Sequence, residues 1–388
     1  MHPLGIDGAA LESYTLVNGA TIRIRRKDYP LSGSQNTFLP LRSVVRTLTR
    51  QLSAAIIVLV WCTCLGSCAT VSYYRQALAG QIKVVQRQEP IDELLRENEV
   101  DPRLGDKLQL VLELRDFASA ELALPCGRNY ENYADLGREH VLWSIFAAPE
   151  FSLEPKTWFY PVVGSLDYRG FFKEDDARRY ADRIRSKGFD VFVADVDAYS
   201  TLGWFPDPVL NTFIDYEEVD IAEIIFHELT HRRVYRSGET AFNEAMATAV
   251  AQEGVVRWLR SSGRRDALRI YQFRLDRAAM VYSEIAMTRK SLEVLFARPI
   301  SPHEMRTGKR ALLQKLQKRL EVLFSNWDGR APESWLKNLP NNARLNATAT
   351  YYEHVPLFEA FLHRECDGNL PQFFRTMERV DVSAFLTP

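Results

Sequence analysis

The sequence predicts a helix-dominated α+β protein, and three observations carry that prediction. Apolar residues recur at three- and four-residue spacing through most of the chain beyond about residue 70. One stretch, 140–172, turns β-branched and aromatic, with turn chemistry at Pro161 and Gly164. Beyond about residue 215 the texture is helical to the end. Within this frame Tyr73–Val85, Ile91–Asn98 and Leu104–Leu122 read as helices, and Pro125-Cys-Gly-Arg128 ends the run. Val141-Leu-Trp, Thr157-Trp-Phe-Tyr and Tyr168-Arg-Gly-Phe-Phe172 read as strands of a small antiparallel sheet. Asp175–Lys187 reads as a helix closed by Gly188, and Val191–Ala194 as a short strand. A long pair, about 266–297 and 303–325, is split by Arg298-Pro-Ile-Ser-Pro302 and reads as a helical hairpin.

Composition narrows the function classes. The 388 residues carry 49 basic and 50 acidic side chains, so the chain lacks the basic footprint of a nucleic-acid binder. At 46% hydrophobic it is too apolar for a disordered protein. Of its 5 cysteines, Cys62, Cys64 and Cys68 crowd into one apolar run, leaving Cys126 and Cys366. Neither a disulfide framework nor a cysteine-built zinc site is expected, and a metal would have to be held by histidine and carboxylate.

The apolar run speaks to location. No charged residue stands between Arg50 and Arg75, and the most apolar part, Leu52–Leu65, is short for a membrane span and of the length of a signal-peptide core. Arg42, Arg46 and Arg50 precede it. Leu65-Gly66-Ser67-Cys68 resembles a bacterial lipobox, which makes Cys68 the expected lipid-bearing residue. Residues 51–67 are read as a lipoprotein signal, with an uncleaved anchor as the alternative. Residues 1–50 are read as an extension plus the basic flank, or a start codon placed too far upstream; 68–388 is read as one domain. Ala69 is not the aspartate that retains lipoproteins at the inner membrane, so attachment to the outer membrane, facing the periplasm, is expected.

The chemistry lies in Phe226-His227-Glu228-Leu229-Thr230-His231. At i and i+4 on a helix, His227 and His231 lie about 40° apart and about 6 Å along the axis, close enough to share one metal ion. No Gly or Pro interrupts Asp215–Arg236. Neutral imidazoles suit zinc, and Glu228 is suited to take the proton from a zinc-activated water. The bland alternative, two surface histidines on an ordinary helix, fits poorly with the apolar flanks.

A zinc site with an open position needs one more protein ligand. Ser237-Gly238 is expected to end the motif helix, and Thr240 to N-cap a second helix running to about Leu259. Glu244 lies in its first turns, within apolar Ala241-Phe-Asn-Glu-Ala-Met-Ala247, where an ionised carboxylate needs a partner. Glu253 is the rival, but it lies about 13 Å further along and half a turn round. Glu244 is therefore the expected third ligand.

His227-Glu-Leu-Thr-His231 with Phe242-Asn-Glu244 resembles the gluzincin-like aminopeptidase family of bacterial lipoproteins. The likeness extends to Tyr73-Tyr, Gln76-Ala, Gly80-Gln81, Tyr168-Arg-Gly-Phe171, Ala198–Phe205 with Asp207-Pro208, Asn341-Asn-Ala343 and Thr350-Tyr351. It implies a zincin-like fold, with an active-site helix hairpin and metallopeptidase activity. The 12 residues between His231 and Glu244 are fewer than in the well-known gluzincins.

Other residues have weaker claims. Val191–Ala194 is a candidate edge strand for aligning a peptide substrate, with the Ala198–Phe205 block beside it. Tyr351, Tyr352 and His354 are candidate donors to a tetrahedral oxyanion, Tyr351 foremost. The basic run Arg306, Lys309, Arg310, Lys315, Lys318, Arg319 reads as a solvated face on a core helix rather than a lipid contact. The expected function is a membrane-anchored zinc metallopeptidase, with peptides or proteins as substrate and Glu228 as general base. The alternatives are a non-catalytic scaffold on the same fold, and a zinc amidase acting on other amide bonds such as cell-wall crosslinks.

Overall fold

The computed structural model describes residues 11–15, 21–25, 68–96, 100–161, 163–202, 204–327 and 334–387. The expected signal segment 51–67 lies outside these residues, as does most of the 1–50 extension. Two short strands, β1 (Leu11–Thr15) and β2 (Thr21–Arg25), pair with each other. The chain divides into two compact units, Met1–Glu12 with Arg25–Gln86, and Ser13–Ile24 with Arg87–Pro388. In the first, the described structure beyond the strand ends is helix α1 (Cys68–Gln86).

The second unit is a helix-dominated α+β body. Its central sheet has the order β8–β5–β9, all antiparallel, from β5 (Leu142–Pro149), β8 (Tyr168–Phe171) and β9 (Phe189–Val196). Trp143 to Ala148 are buried without interruption, and because successive residues of a strand face opposite ways, both faces of β5 are covered. Helix α4 (Glu174–Arg185), through Ala177, Ala181 and Ile184, and helix α11 (Asn342–Tyr352) do the covering. The row Tyr168–Phe146–Phe192 crosses all three strands in register and packs on Ala343 and Ala347 of α11.

One smaller sheet was not foreseen, and the strand expected at Thr157–Tyr160 lies outside the central sheet. Strand β3 (Gln88–Pro90) pairs antiparallel with β4 (Asn132–Ala134), which pairs parallel with β10 (Val209–Leu210). Strands this short carry no readable alternation. Strand β6 (Trp158–Tyr160) forms a separate hairpin with β7 (Gly164–Leu166). Helix α2 (Ile91–Arg96) and helix α3 (Pro102–Glu121) fall where periodicity placed them; Asp101 caps α3 by accepting from Arg103 N and Leu104 N.

After the one-turn helix α5 (Asn211–Ile214), the rest is helical: α6 (Glu218–Arg233), α7 (Thr240–Ser261), α8 (Arg265–Phe296), α9 (Pro302–Ser325), α10 (Ser334–Lys337), then α11, α12 (Val355–Arg364), α13 (Leu370–Met377) and α14 (Val382–Leu386). The α8 and α9 bounds match the expected long pair. Ser301 and Glu304 form a capping box with Pro302 at the first helical position, so the sequence itself marks where α9 starts. Ile285, Leu292, Leu313, Leu316, Leu320 and Phe324 make the core of this pair.

The basic run on α9 is only partly a solvated face. Arg310, Lys315 and Lys318 are exposed. Lys309 instead is buried, ion-paired to Asp190 at 2.6 Å and donating to the Glu150 carbonyl at 2.7 Å. Arg306 forks onto both oxygens of Glu150, and Arg319 pairs with Glu284. Periodicity cannot see such pairs, because their partners lie far away in sequence.

Candidate metal centre

Helix α6 is held through Ile221, Ile225, Phe226 and Leu229, all fully buried, which fixes the roll of the helix and sends His227 and His231 to the same side. The motif helix ends earlier than expected. It stops at Arg233, and Val234 is extended (φ −141°, ψ 123°), so that the Tyr235 ring turns back against His231 with centroids 6.4 Å apart. Thr240 is not the N-cap of the next helix. Glu239 holds that place and its side chain makes no capping bond. The joint is closed by Asn243, whose Oδ1 accepts from Arg236 N at 2.8 Å and whose Nδ2 donates to Arg236 O at 2.7 Å.

This joint folds α7 back onto α6 and delivers Glu244. His227 Nε2 and Glu244 Oε2 are 3.2 Å apart, His231 Nε2 and Glu244 Oε2 3.5 Å, and the two Nε2 atoms 3.2 Å. Ligand atoms about 2.0–2.1 Å from a tetrahedral ion stand about 3.3 Å from one another. The three atoms therefore already occupy one face of a zinc-sized tetrahedron, with the fourth position open. Donor chemistry fits as well, two imidazoles and a carboxylate. These three are the group of potential ligands among the described residues that could hold a metal ion.

The surroundings polarise this cluster. Burial alone would raise the Glu244 carboxyl, but the charges and hydrogen bonds of His231 and His227 outweigh it and hold that carboxyl well below the usual carboxylate range. Burial works against the charged form of His231, yet Glu244 and Glu228 together push its proton affinity up. Glu228 itself is raised by burial, against the pull of His227 and His231. Its carboxylate has no hydrogen-bond or ion-pair partner among the described residues, which leaves both oxygens free to accept a proton.

Glu253 is excluded as the third ligand. It pairs with Arg257 at 2.7 Å and faces His363 at 3.4 Å. Of the three candidate donors, only Tyr351 reaches the site, its ring 6.1 Å from that of His227. Tyr352 is exposed near Glu223 and Arg274, and His354 lies by Glu353 and Arg289. Cys126 and Cys366 are both free and buried, so they do not pair; burial raises both thiols, Cys366 to about 11.

Sequence reasoning missed one site residue. Tyr168 donates its hydroxyl to Glu244 Oε1 at 3.4 Å, the oxygen that does not face the histidines. Glu244 is thus held from behind while Oε2 points at the ligand face, the usual role of an outer hydrogen-bond partner. Tyr168 opens β8, one edge of the sheet, while Val191–Ala194 lies in β9, the edge strand on the other side of β5. The described residues of the Ala198–Phe205 block form a loop braced by Asp207, which accepts from Thr201 N and the Ser200 hydroxyl. Asn129 ties that loop to α6 by accepting from both Asp207 N and Arg232.

The profile of a family described as "Putative aminopeptidase" matches residues 72–384. The chain belongs to this family. The match spans most of the chain, and both the ligand cluster and Tyr168, Glu228 and Tyr351 fall inside it. No curated protein and no solved structure shows a significant match. Family membership supports peptidase activity at that level.

Proposed function

We propose that the protein is a zinc metallopeptidase, anchored through Cys68 and acting as an aminopeptidase on peptides or proteins, built on a zincin-like fold. The observation that carries this reading is the triangle of His227 Nε2, His231 Nε2 and Glu244 Oε2, with edges of 3.2–3.5 Å, and Glu228 on the same helix between the two histidines. A zinc ion held there would polarise the scissile carbonyl and make a water acidic near neutral pH. Glu228 takes the proton of the attacking water, its affinity for that proton raised by burial, and returns it to the leaving amine. Tyr351 stands beside His227 with its hydroxyl kept protonated by burial, as a donor to the oxyanion requires. Tyr168 keeps Glu244 oriented.

A non-catalytic scaffold would have no use for an unpartnered, proton-accepting Glu228 between the two histidines of the ligand set. A zinc amidase acting on cell-wall crosslinks would use the same machinery and differs only in substrate. The deciding experiment measures zinc content beside hydrolysis of a peptide library. Glu228→Gln should keep about one zinc per chain and lose several orders of magnitude in turnover, whereas His231→Ala should lose metal and activity together. A wild-type chain that binds no metal would overturn the reading. One that binds zinc but cleaves only non-peptide amides would replace the peptidase with the amidase.

A further inference from the structure

Helix α1 has an unusual distribution of side chains. Its 19 residues include Arg75 and Lys83 and no carboxylate. Five large apolar residues are exposed on it: Val71 at 41%, Tyr74 at 42%, Leu78 at 61%, Ile82 at 45% and Val85 at 41%. At about 100° per residue these five fall within one stripe roughly 80° wide that runs the length of the helix. The helix is not simply bare on all sides, since Val84 is 1% exposed and Gly80 is buried. Single exposed apolar residues are ordinary on a protein surface; five aligned on one helix face mark a surface that meets something apolar.

Two observations say what it meets. The charges are all cationic, and Arg75 borders the stripe, which suits an anionic headgroup layer; long basic side chains can lay their stems along apolar surface and keep their charge at the headgroups. The stripe also begins one turn after Cys68, the first residue of α1 and the expected point of lipid attachment. A helix pinned to a leaflet at its first residue either stands away from the surface or lies along it. An apolar stripe reaching from Val71 to Val85 favours lying along it.

We infer that α1 is an interfacial helix, resting in the headgroup–acyl boundary of an anionic bilayer with Val71, Tyr74, Leu78, Ile82 and Val85 immersed. The inference rests on the anchored reading above and adds a second, non-covalent hold to it, since an acyl chain and an amphipathic face reinforce one another. It makes α1 a raft rather than a tether.

The test uses the full chain, reconstituted in vesicles of phosphatidylethanolamine and phosphatidylglycerol that carry a photoactivatable diazirine in one acyl chain. After flotation, irradiation and trypsin digestion, lipid adducts should concentrate on the fragment Gln76–Lys83, which holds Leu78 and Ile82. Fragments bearing Ile270 (66% exposed) and Phe273 (54% exposed) should stay unmodified although they are as accessible. Leu78→Glu combined with Ile82→Glu should abolish the adduct while the protein still floats. Flotation with no excess adduct on Gln76–Lys83 would overturn the inference and leave the anchor standing, as would protection of that fragment from water-borne labels without lipid adducts, the result if residues 1–67 or a second copy cover the stripe. Failure to float would overturn both.

Discussion

Glu244 and Glu253 stand nine residues apart on α7, and the difference between them is entirely one of neighbours. Glu244 faces two imidazoles and a tyrosine hydroxyl, while Glu253 is already paired with Arg257. Glu244→Ala should abolish stoichiometric zinc binding, and Glu253→Ala should leave zinc content near normal, both read by metal analysis of the purified variants. Asp167, between β7 and β8, has another kind of isolation. Burial pushes its carboxyl up to about 6 with no charged neighbour to oppose it. A carboxyl raised in the folded state binds protons that the unfolded chain has released, so the protein loses stability as pH climbs from the ordinary aspartate range through about 6. Asp167→Asn removes that penalty. It should stabilise by up to roughly 3 kcal/mol at pH 8 and by nothing at pH 3, as read from urea midpoints at the two values. The same gain at both would place the cause elsewhere. At this scale the sequence is most informative where a local rule applies: i,i+4 spacing fixes the two histidines, and helix arithmetic separates Glu244 from Glu253. Tyr168 was out of reach, because its bond to Glu244 spans 76 residues and exists only once β8 and α7 have met.

Among the elements, long helices with strong caps were the most legible, and joints the least. The start of α9 was written in Ser301, Pro302 and Glu304, whereas the joint after Arg233 depends on a side chain that looks like any other polar residue. Asn243, 1% exposed, spends both ends of its amide closing that joint. Asn243→Ala would leave the Arg236 N–H without its partner and the Arg236 carbonyl with the Glu239 N–H alone. It should cost about 1–3 kcal/mol of stability and weaken zinc binding together, measured by denaturant unfolding and by competition with a chelator. Loss of stability with unchanged zinc affinity would show that the ligand helices hold their angle without it. The strands illustrate the opposite limit. β5 is buried on both faces and gives no alternation, and β3, β4 and β10 are too short to give any pattern.

Over the whole second unit, the α8–α9 pair is joined to the sheet by a buried charge. Lys309 on α9 meets Asp190 on β9, which also accepts from the Asn342 backbone at the start of α11. One carboxylate thereby gathers three elements. Removing the lysine strands the aspartate in a partly buried site, and breaking a buried pair in this way costs about 3–5 kcal/mol. Lys309→Ala should lower the urea midpoint by a corresponding amount at neutral pH, with Lys309→Met less damaging because it keeps the packing. Equal midpoints for wild type and Lys309→Ala would show that the pair carries no net stability. Such long-range ties are invisible to periodicity, which is why the fold class was readable and its assembly was not.

The tip of the β6–β7 hairpin bears on the joint from outside. Val163 accepts hydrogen bonds from Gly238 N and the Tyr235 hydroxyl, and a Cβ at Gly164 (φ +84°) would lie 2.6 Å from Ser237 Oγ and 2.7 Å from Gly238 N. No side chain other than hydrogen fits there. The angle between the two ligand helices is therefore borrowed from a hairpin formed more than sixty residues upstream of His227. A chain whose helices have formed but whose hairpin has not yet docked holds its histidines and its third ligand out of step. On the proposed reading, metal affinity would then gauge completed assembly, rising only when distant parts of the chain have found each other.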